Sequence, residues 1–317
     1  MTTTTLKANS RLERVLAGGH FALTVEVGPP RGANAEPVRK KAAILKGLAD
    51  GYNVTDNQTA VVRMSSIAAA KLLLEAGCEP IMQMTCRDRN RIAMQSDLLG
   101  AAALGLRNCL CLSGDHQGQG ASGKLKGHPG AKNVFDVDSI QLVAIVKRMR
   151  DEGLQEGGDA LTEPVPFFIG AVWTPLSPPE DFRVLRLAKK IEAGADFIQT
   201  QAIYDVERFA AAFAKARDMG LAERAAILPG IIVPASAGML KYMNKNVPGV
   251  EVPEALIKRM EQAKDPKAEG ARIAVELIEA MRAIPGVKGV HLQAIEAEER
   301  LPEIIKAAGL SPRPEVD

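Results

Sequence analysis

The sequence predicts a closed (β/α)8 barrel, the TIM-barrel class of α/β fold, on three observations. Short strand-like runs alternate with longer amphipathic runs along the chain, and eight such units can be counted. The turn after the first strand reads Gly28-Pro29-Pro30-Arg31-Gly32, without the G-x-G-x-x-G that an open dinucleotide-binding sheet places there. Alternating β and α imply parallel strands joined by right-handed crossovers, and eight repeats suffice to close them into a barrel. The 317 residues are read as one catalytic barrel domain, 1–317, because no repeat or low-complexity linker divides them.

A charged helix-like stretch around 10–18 precedes the first strand, 21–27 (FALTVEV). Its alternation sets Ala22, Thr24 and Glu26 toward the barrel axis and Phe21, Leu23, Val25 and Val27 toward the helices. The second strand, 51–55 (GYNVT), ends in Thr55-Asp56-Asn57. In the third, 80–85 (PIMQMT), Gln83 and Thr85 share one parity. The fourth, 107–112 (RNCLCL), runs into Ser113-Gly114-Asp115 and then a Gly/Lys-rich loop at 116–134. The fifth, 166–172 (PFFIGAV), and sixth, 196–200 (DFIQT), follow, the latter running into Gln201. The seventh, 226–232 (AILPGII), and eighth, 287–292 (GVKGVHL), are separated by extra helices expected between 252 and 284.

A formal net charge of +2 gives no reason to expect nucleic acid or an anionic membrane as partner. No apolar run is long enough for a signal peptide or a transmembrane helix, so the cytoplasm is the default location. Cys78, Cys86, Cys109 and Cys111 lie in or beside apolar segments without C-x-x-C spacing. They read as reduced core thiols, and no metal site is expected.

In a barrel of this kind ligands bind at the C-terminal ends of the strands. Glu26 stands there between Val25 and Val27, just ahead of two prolines. Partial desolvation and rigid placement raise a carboxyl pKa and suit it to general-acid work near neutral pH, although a structural pairing with a basic residue is the plain alternative. Acids, amides and hydroxyls from five strands (Glu26; Thr55 and Asp56; Gln83 and Thr85; Ser113 and Asp115; Thr200 and Gln201) converge on one mouth. A donor- and acceptor-rich heterocycle needs such a rim, because buried polar edges must be matched group by group. Lys124, Lys126, Lys132, Lys189 and Lys190 suit an anionic diphosphate, though singly each also reads as a solvated surface charge.

Six stretches, V-E-V-G-P-P-R (25–31), M-T-C-R-D (84–88), C-L-S-G-D-H (111–116), A-G-A-D-F-I-Q-T-Q (193–201), L-P-G-I-I (228–232) and G-V-K-G-V-H (286–291), occur in one order. With them the chain resembles the methylenetetrahydrofolate reductase family from about residue 20 to 310. The resemblance implies non-covalent FAD, with NADH or NADPH as candidate electron donor. It also implies reduction of 5,10-methylenetetrahydrofolate to 5-methyltetrahydrofolate, or the reverse, by hydride transfer. In that reading Glu26 is the catalytic acid that protonates N10 of the folate. Asp115 is catalytic beside flavin and pterin and binds the pterin amino group, and Gln201 grips the pterin. The flavin contacts fall on Thr55, Gln83, Ser113, Gly114, Asp115, Phe135, Asp136, Lys189 and Lys190.

Departures from the family pattern touch one flavin contact and, beyond it, the electron donor. Gln83 stands where the family has a histidine. Pro234-Ala235-Ser236 continues Ala237-Gly238-Met239 where better-known members carry a phenylalanine, and Gln293 and Ala297 replace an aromatic and an arginine. The pattern resembles a divergent branch of reductive one-carbon pathways, some of whose members receive electrons through partner subunits. A homo-oligomer or a partner electron-transfer subunit is therefore weighed beside a chain that works alone. Two competing functions are a folate- or flavin-binding subunit active only with its partner, and a non-redox barrel lyase or transferase using Glu26 and Asp115.

Overall fold

In the computed structural model, which describes residues 5–116 and 127–316, eight parallel strands close into a barrel in sequence order. They are β1 (Ala22–Val27), β2 (Gly51–Val54), β3 (Pro80–Thr85), β4 (Asn108–Leu112), β5 (Phe168–Trp173), β6 (Phe197–Ala202), β7 (Ala226–Ile232) and β8 (Gly289–Gln293). The ring closes through β1 and β8, with Thr24 opposite His291. The barrel and its eight strands are those expected from sequence, with ends shifted by one or two residues. Strand β2 stops at Val54, so Thr55 opens a loop, and β6 runs on through Gln201.

The two faces of each strand separate as the alternation requires. Leu23, Val25 and Val27 join the large core between strands and helices, whereas Ala22 joins an inner cluster with Ile81, Leu110, Phe168, Phe197 and Leu228. Phe168 and Phe197 stack with centroids 5.3 Å apart. They have room because residue 170 is glycine: a Cβ there would lie 2.3 Å from the Phe197 ring. Helix α1 (Arg11–Ala17), capped by Ser10, adds Leu12 and Val15 to the same cluster and closes the N-terminal end of the barrel. The lower interior is thus a packed plug, and ligand space is expected toward the strand C-termini.

Helices α2 (Glu36–Leu45), α3 (Ser66–Glu75), α4 (Arg91–Ala103), α5 (Ser139–Asp151), α6 (Glu180–Ala193), α7 (Val206–Asp218), α8 (Leu221–Arg224) and α9 (Ala237–Asn246) follow successive strands. The extra helices expected before the last strand are α10 (Glu254–Gln262) and α11 (Pro266–Ala283), and α12 (Leu301–Ala307) follows it. Helix α6 buries Val184, Leu187 and Ile191, an i, i+3, i+7 stripe that leaves its polar side free. All four cysteines are free and buried. Among the described residues no helix is long and apolar enough to cross a membrane.

Candidate active site

Above the apolar plug lies a layer of buried polar side chains. Asn53 donates from Nδ2 to Gln199 Oε1 at 2.6 Å, and Gln199 Nε2 donates to Asn53 Oδ1 at 3.1 Å and to Thr24 Oγ1 at 3.0 Å. Thr24 Oγ1 in turn meets His291 Nδ1 at 3.0 Å. Burial drives the His291 pKa down to about 3, so the ring is neutral at physiological pH. Four strands are cross-linked at this level, and the network forms a rigid floor under the mouth.

Over that floor opens a cavity of about 570 Å³, within the roughly 300–1,000 Å³ usual for cofactor and ligand sites. Its wall includes Glu26, Thr55, Gln83, Ser113, Gly114, Asp115, Lys190 and Gln201, so eight of the eleven residues singled out from sequence meet there. Leu110, Leu112 and Val172 supply apolar wall between them. At Gly114, where φ is +86°, a Cβ would sit 3.0 Å from that of Arg87 and 3.2 Å from that of Thr85. Only glycine accepts both the left-handed backbone and the crowding. Buried Arg87 braces this turn by donating to the Asp115 carbonyl at 3.3 Å and the Asn57 carbonyl at 2.9 Å. Asp56 accepts from Thr85 N and Oγ1, both at 2.9 Å, and pairs with Arg89. Gln201 lies within a register shift of β6 between Gln199 and Ala202, where Thr200 Oγ1 accepts from Gly230 N at 2.9 Å. Bulges of this type re-aim a side chain beside a site.

Three singled-out residues lie outside the wall. Lys189 is exposed, because adjacent helix positions point about 100° apart and Lys190 takes the inward one. Asp136 is occupied by Arg91, with Nε–Oδ2 2.9 Å and Nη2–Oδ1 3.1 Å. Phe135 is 39% exposed and does not reach the cavity wall. Lys132 is exposed as well, and Lys124 and Lys126 lie outside the described residues.

Reading residue by residue missed two cations, Arg183 and Arg186, that share the wall with Lys190. Their spacing, i, i+3 and i+7 on α6, is the signal that locates them. The Lys190 ammonium donates to the Val172 carbonyl. Burial, reinforced by repulsion from Arg186, pulls its pKa down to about 8. An anion bound here would relieve that strain.

Glu26 borders both this cavity and a second, smaller one of about 240 Å³, lined also by Lys41, Gln58, Arg63 and Glu298. Burial, with a further push from Glu298, raises its pKa to about 7, against the pull of Lys41 and Arg63. Its folded pKa lies above its unfolded one, so the stability it contributes is complete below about pH 4.5 and is lost as pH rises through about 7. Glu26→Gln is therefore expected to melt above wild type by an amount that grows between pH 5 and pH 8. The gain is roughly 1–3 kcal/mol after allowance for cavity water, or a few degrees in Tm. Calorimetry at both pH values checks it, and a pH-independent difference would count against the raised pKa.

Fold and site together define a (β/α)8-barrel protein with a polar ligand cavity at the strand C-termini. The methylenetetrahydrofolate reductase family model matches residues 11–309, and the chain belongs to that family. A Caenorhabditis elegans protein named probable methylenetetrahydrofolate reductase (NADPH) is 24% identical over 95% of this chain and 44% of its own length. Methylenetetrahydrofolate reductase 1 of Schizosaccharomyces pombe is 27% identical over 72% of this chain and 35% of its own. The chain thus spans less than half the length of these curated relatives. A solved structure from Clostridium thermocellum, of a protein that binds two copies of 5-methyl-5,6,7,8-tetrahydrofolic acid, shares the fold. Its TM-score is 0.62 at 14% identity, covering 94% of this chain and 97% of that one.

Proposed function

We propose that this chain is a flavin-dependent reductase of methylenetetrahydrofolate, with Glu26 as its proton donor. One observation carries the reading: at the mouth of a cofactor-sized cavity stands a carboxyl whose pKa is raised to about 7, so a substantial fraction of it carries a proton at neutral pH. A carboxyl at its ordinary pKa would be empty of protons there.

The residues present fit FAD. Thr55 Oγ1 is buried without a partner among the described residues, a cost of about 1–3 kcal/mol unless a ligand meets it. The Gly114 turn lets a ligand approach the backbone closely, Leu110, Leu112 and Val172 offer apolar surface to a ring system, and Arg183, Arg186 and Lys190 would hold a diphosphate. When bound, FAD supplies the hydride for the methylene carbon. Glu26 delivers its proton to the folate N10, which opens the five-membered ring to an electrophilic iminium ion. The Asp115 carboxylate stabilises that cation and, with Gln201, orients the pterin. The folate bound by the Clostridium thermocellum protein supports the same ligand class here.

The nicotinamide side is weaker. Gln293 borders the cavity, but Gly238 and Met239, where the family's aromatic is expected, do not. This favours electrons arriving through a partner subunit over rapid reduction by NADH or NADPH.

Thr55→Val tests the cofactor assignment. It removes an unpaired buried hydroxyl, so the apoprotein should be as stable as wild type or slightly more so, while FAD binding weakens about tenfold. Parallel melting curves and FAD fluorescence titrations measure both. Unchanged affinity would remove Thr55 from the flavin site, and failure of the wild type to bind FAD would end the flavin reading.

A further inference from the structure

Around the smaller cavity that Glu26 borders, three elements are tied together by one lysine. The Lys41 Nζ, from α2, pairs with Glu298 Oε1 at 2.5 Å and donates to the Gly28 carbonyl at 3.2 Å. Glu298 lies in the short 3-10 turn Glu298–Arg300 after β8 and is only 6% exposed, and Gly28 is two residues past Glu26. Lys41 therefore fastens the exit of β1, at Gly28, to the exit of β8, at Glu298. The same small cavity is lined by Glu26, Lys41 and Glu298. A buried glutamate is costly unless paired, and placing one beside a second carboxyl adds like-charge repulsion. Packing alone would be served as well by an apolar pair at these positions.

We propose that Lys41 and Glu298 are positioning residues that set the proton affinity of Glu26. This rests on the reading of Glu26 as proton donor. The other charges around this cavity are Arg63, from the loop after β2, Arg31, from the loop after β1, and Glu296, from the loop after β8. Arg63 lowers the Glu26 pKa as Lys41 does, and neutral His291 adds no charge from the floor. The pair gives opposite signatures. In Glu298→Gln a like charge is removed and Lys41 is released to act on Glu26, so Glu26 loses its proton at lower pH. In Lys41→Met an attracting charge is removed and Glu298 is left uncompensated, so Glu26 keeps its proton to higher pH.

The test is an infrared titration of the carboxyl C=O stretch in the protein without added ligand, with the Glu26 band identified by its loss in Glu26→Gln. The midpoint should fall in Glu298→Gln and rise in Lys41→Met, each by about half a pH unit or more. Lys41→Arg, which keeps the charge, should titrate like wild type. The alkaline limb of folate-dependent flavin reoxidation should move with these midpoints. Midpoints that stay at the wild-type value, or that move in the same direction in both variants as general loosening would cause, overturn the proposal. Opposite midpoint shifts uphold it even if reduced flavin is not reoxidised by methylenetetrahydrofolate, a result that would sink the functional reading alone. If Lys41→Met does not fold, Lys41→Gln carries the same expected sign.

Discussion

Glu26→Gln is expected to slow reoxidation of bound reduced flavin by methylenetetrahydrofolate about 10²- to 10⁴-fold, the usual contribution of a positioned acid. The amide keeps the shape and sits in the same environment of Lys41, Arg63 and Glu298, but it has no proton of suitable acidity to deliver. FAD affinity and reduction by dithionite should be nearly unchanged, because neither needs the acid. Rapid-mixing measurement of the folate half-reaction decides it. A rate within about threefold of wild type, less than 1 kcal/mol in barrier, would take the proton-donor role from Glu26.

The double variant Arg186→Gln/Lys190→Met is expected to weaken FAD binding by about 10²- to 10⁴-fold. Each cation facing a diphosphate through a charge-assisted hydrogen bond contributes roughly 1.5–3 kcal/mol, and the two share one helix face. Lys190 should not be missed by the fold, since its ammonium is held below its ordinary pKa by burial and methionine fills the same stem. Lys189→Met, at the adjacent exposed position, should change affinity less than about threefold. Fluorescence quenching of FAD at fixed salt reads all three proteins. A double variant that binds within fivefold of wild type would place the diphosphate elsewhere.

The barrel was legible because its signals are local. Alternation in FALTVEV fixed which residues of β1 face inward, and that parity put Thr24 in the floor and Glu26 at the mouth. The polar rim followed from strand ends, where each residue is judged by its own position. What could not be read depends on angle or distance. Lys189 and Lys190 are adjacent in sequence, and only the orientation of α6 separates the exposed one from the one in the wall. Asp136 carries no mark that Arg91, 45 residues earlier, will claim it. The Asn53–Gln199–Thr24–His291 floor joins residues up to 267 apart, and the Lys41–Glu298 pair spans most of the chain. Buried polar pairs of this kind are made by closure of the barrel, so no window of sequence contains them.

In the proposed reaction a folate bound in this cavity takes hydride from reduced flavin and a proton at N10 from Glu26. The most direct test is a single anaerobic turnover. The FAD-loaded chain is reduced with one equivalent of dithionite and mixed with 5,10-methylenetetrahydrofolate, and flavin absorbance and folate products are followed together. The oxidised flavin spectrum should return with one 5-methyltetrahydrofolate formed per flavin, at a rate that falls as pH rises through about 7, the Glu26 pKa. Flavin that stays reduced in the presence of saturating folate would contradict that reaction.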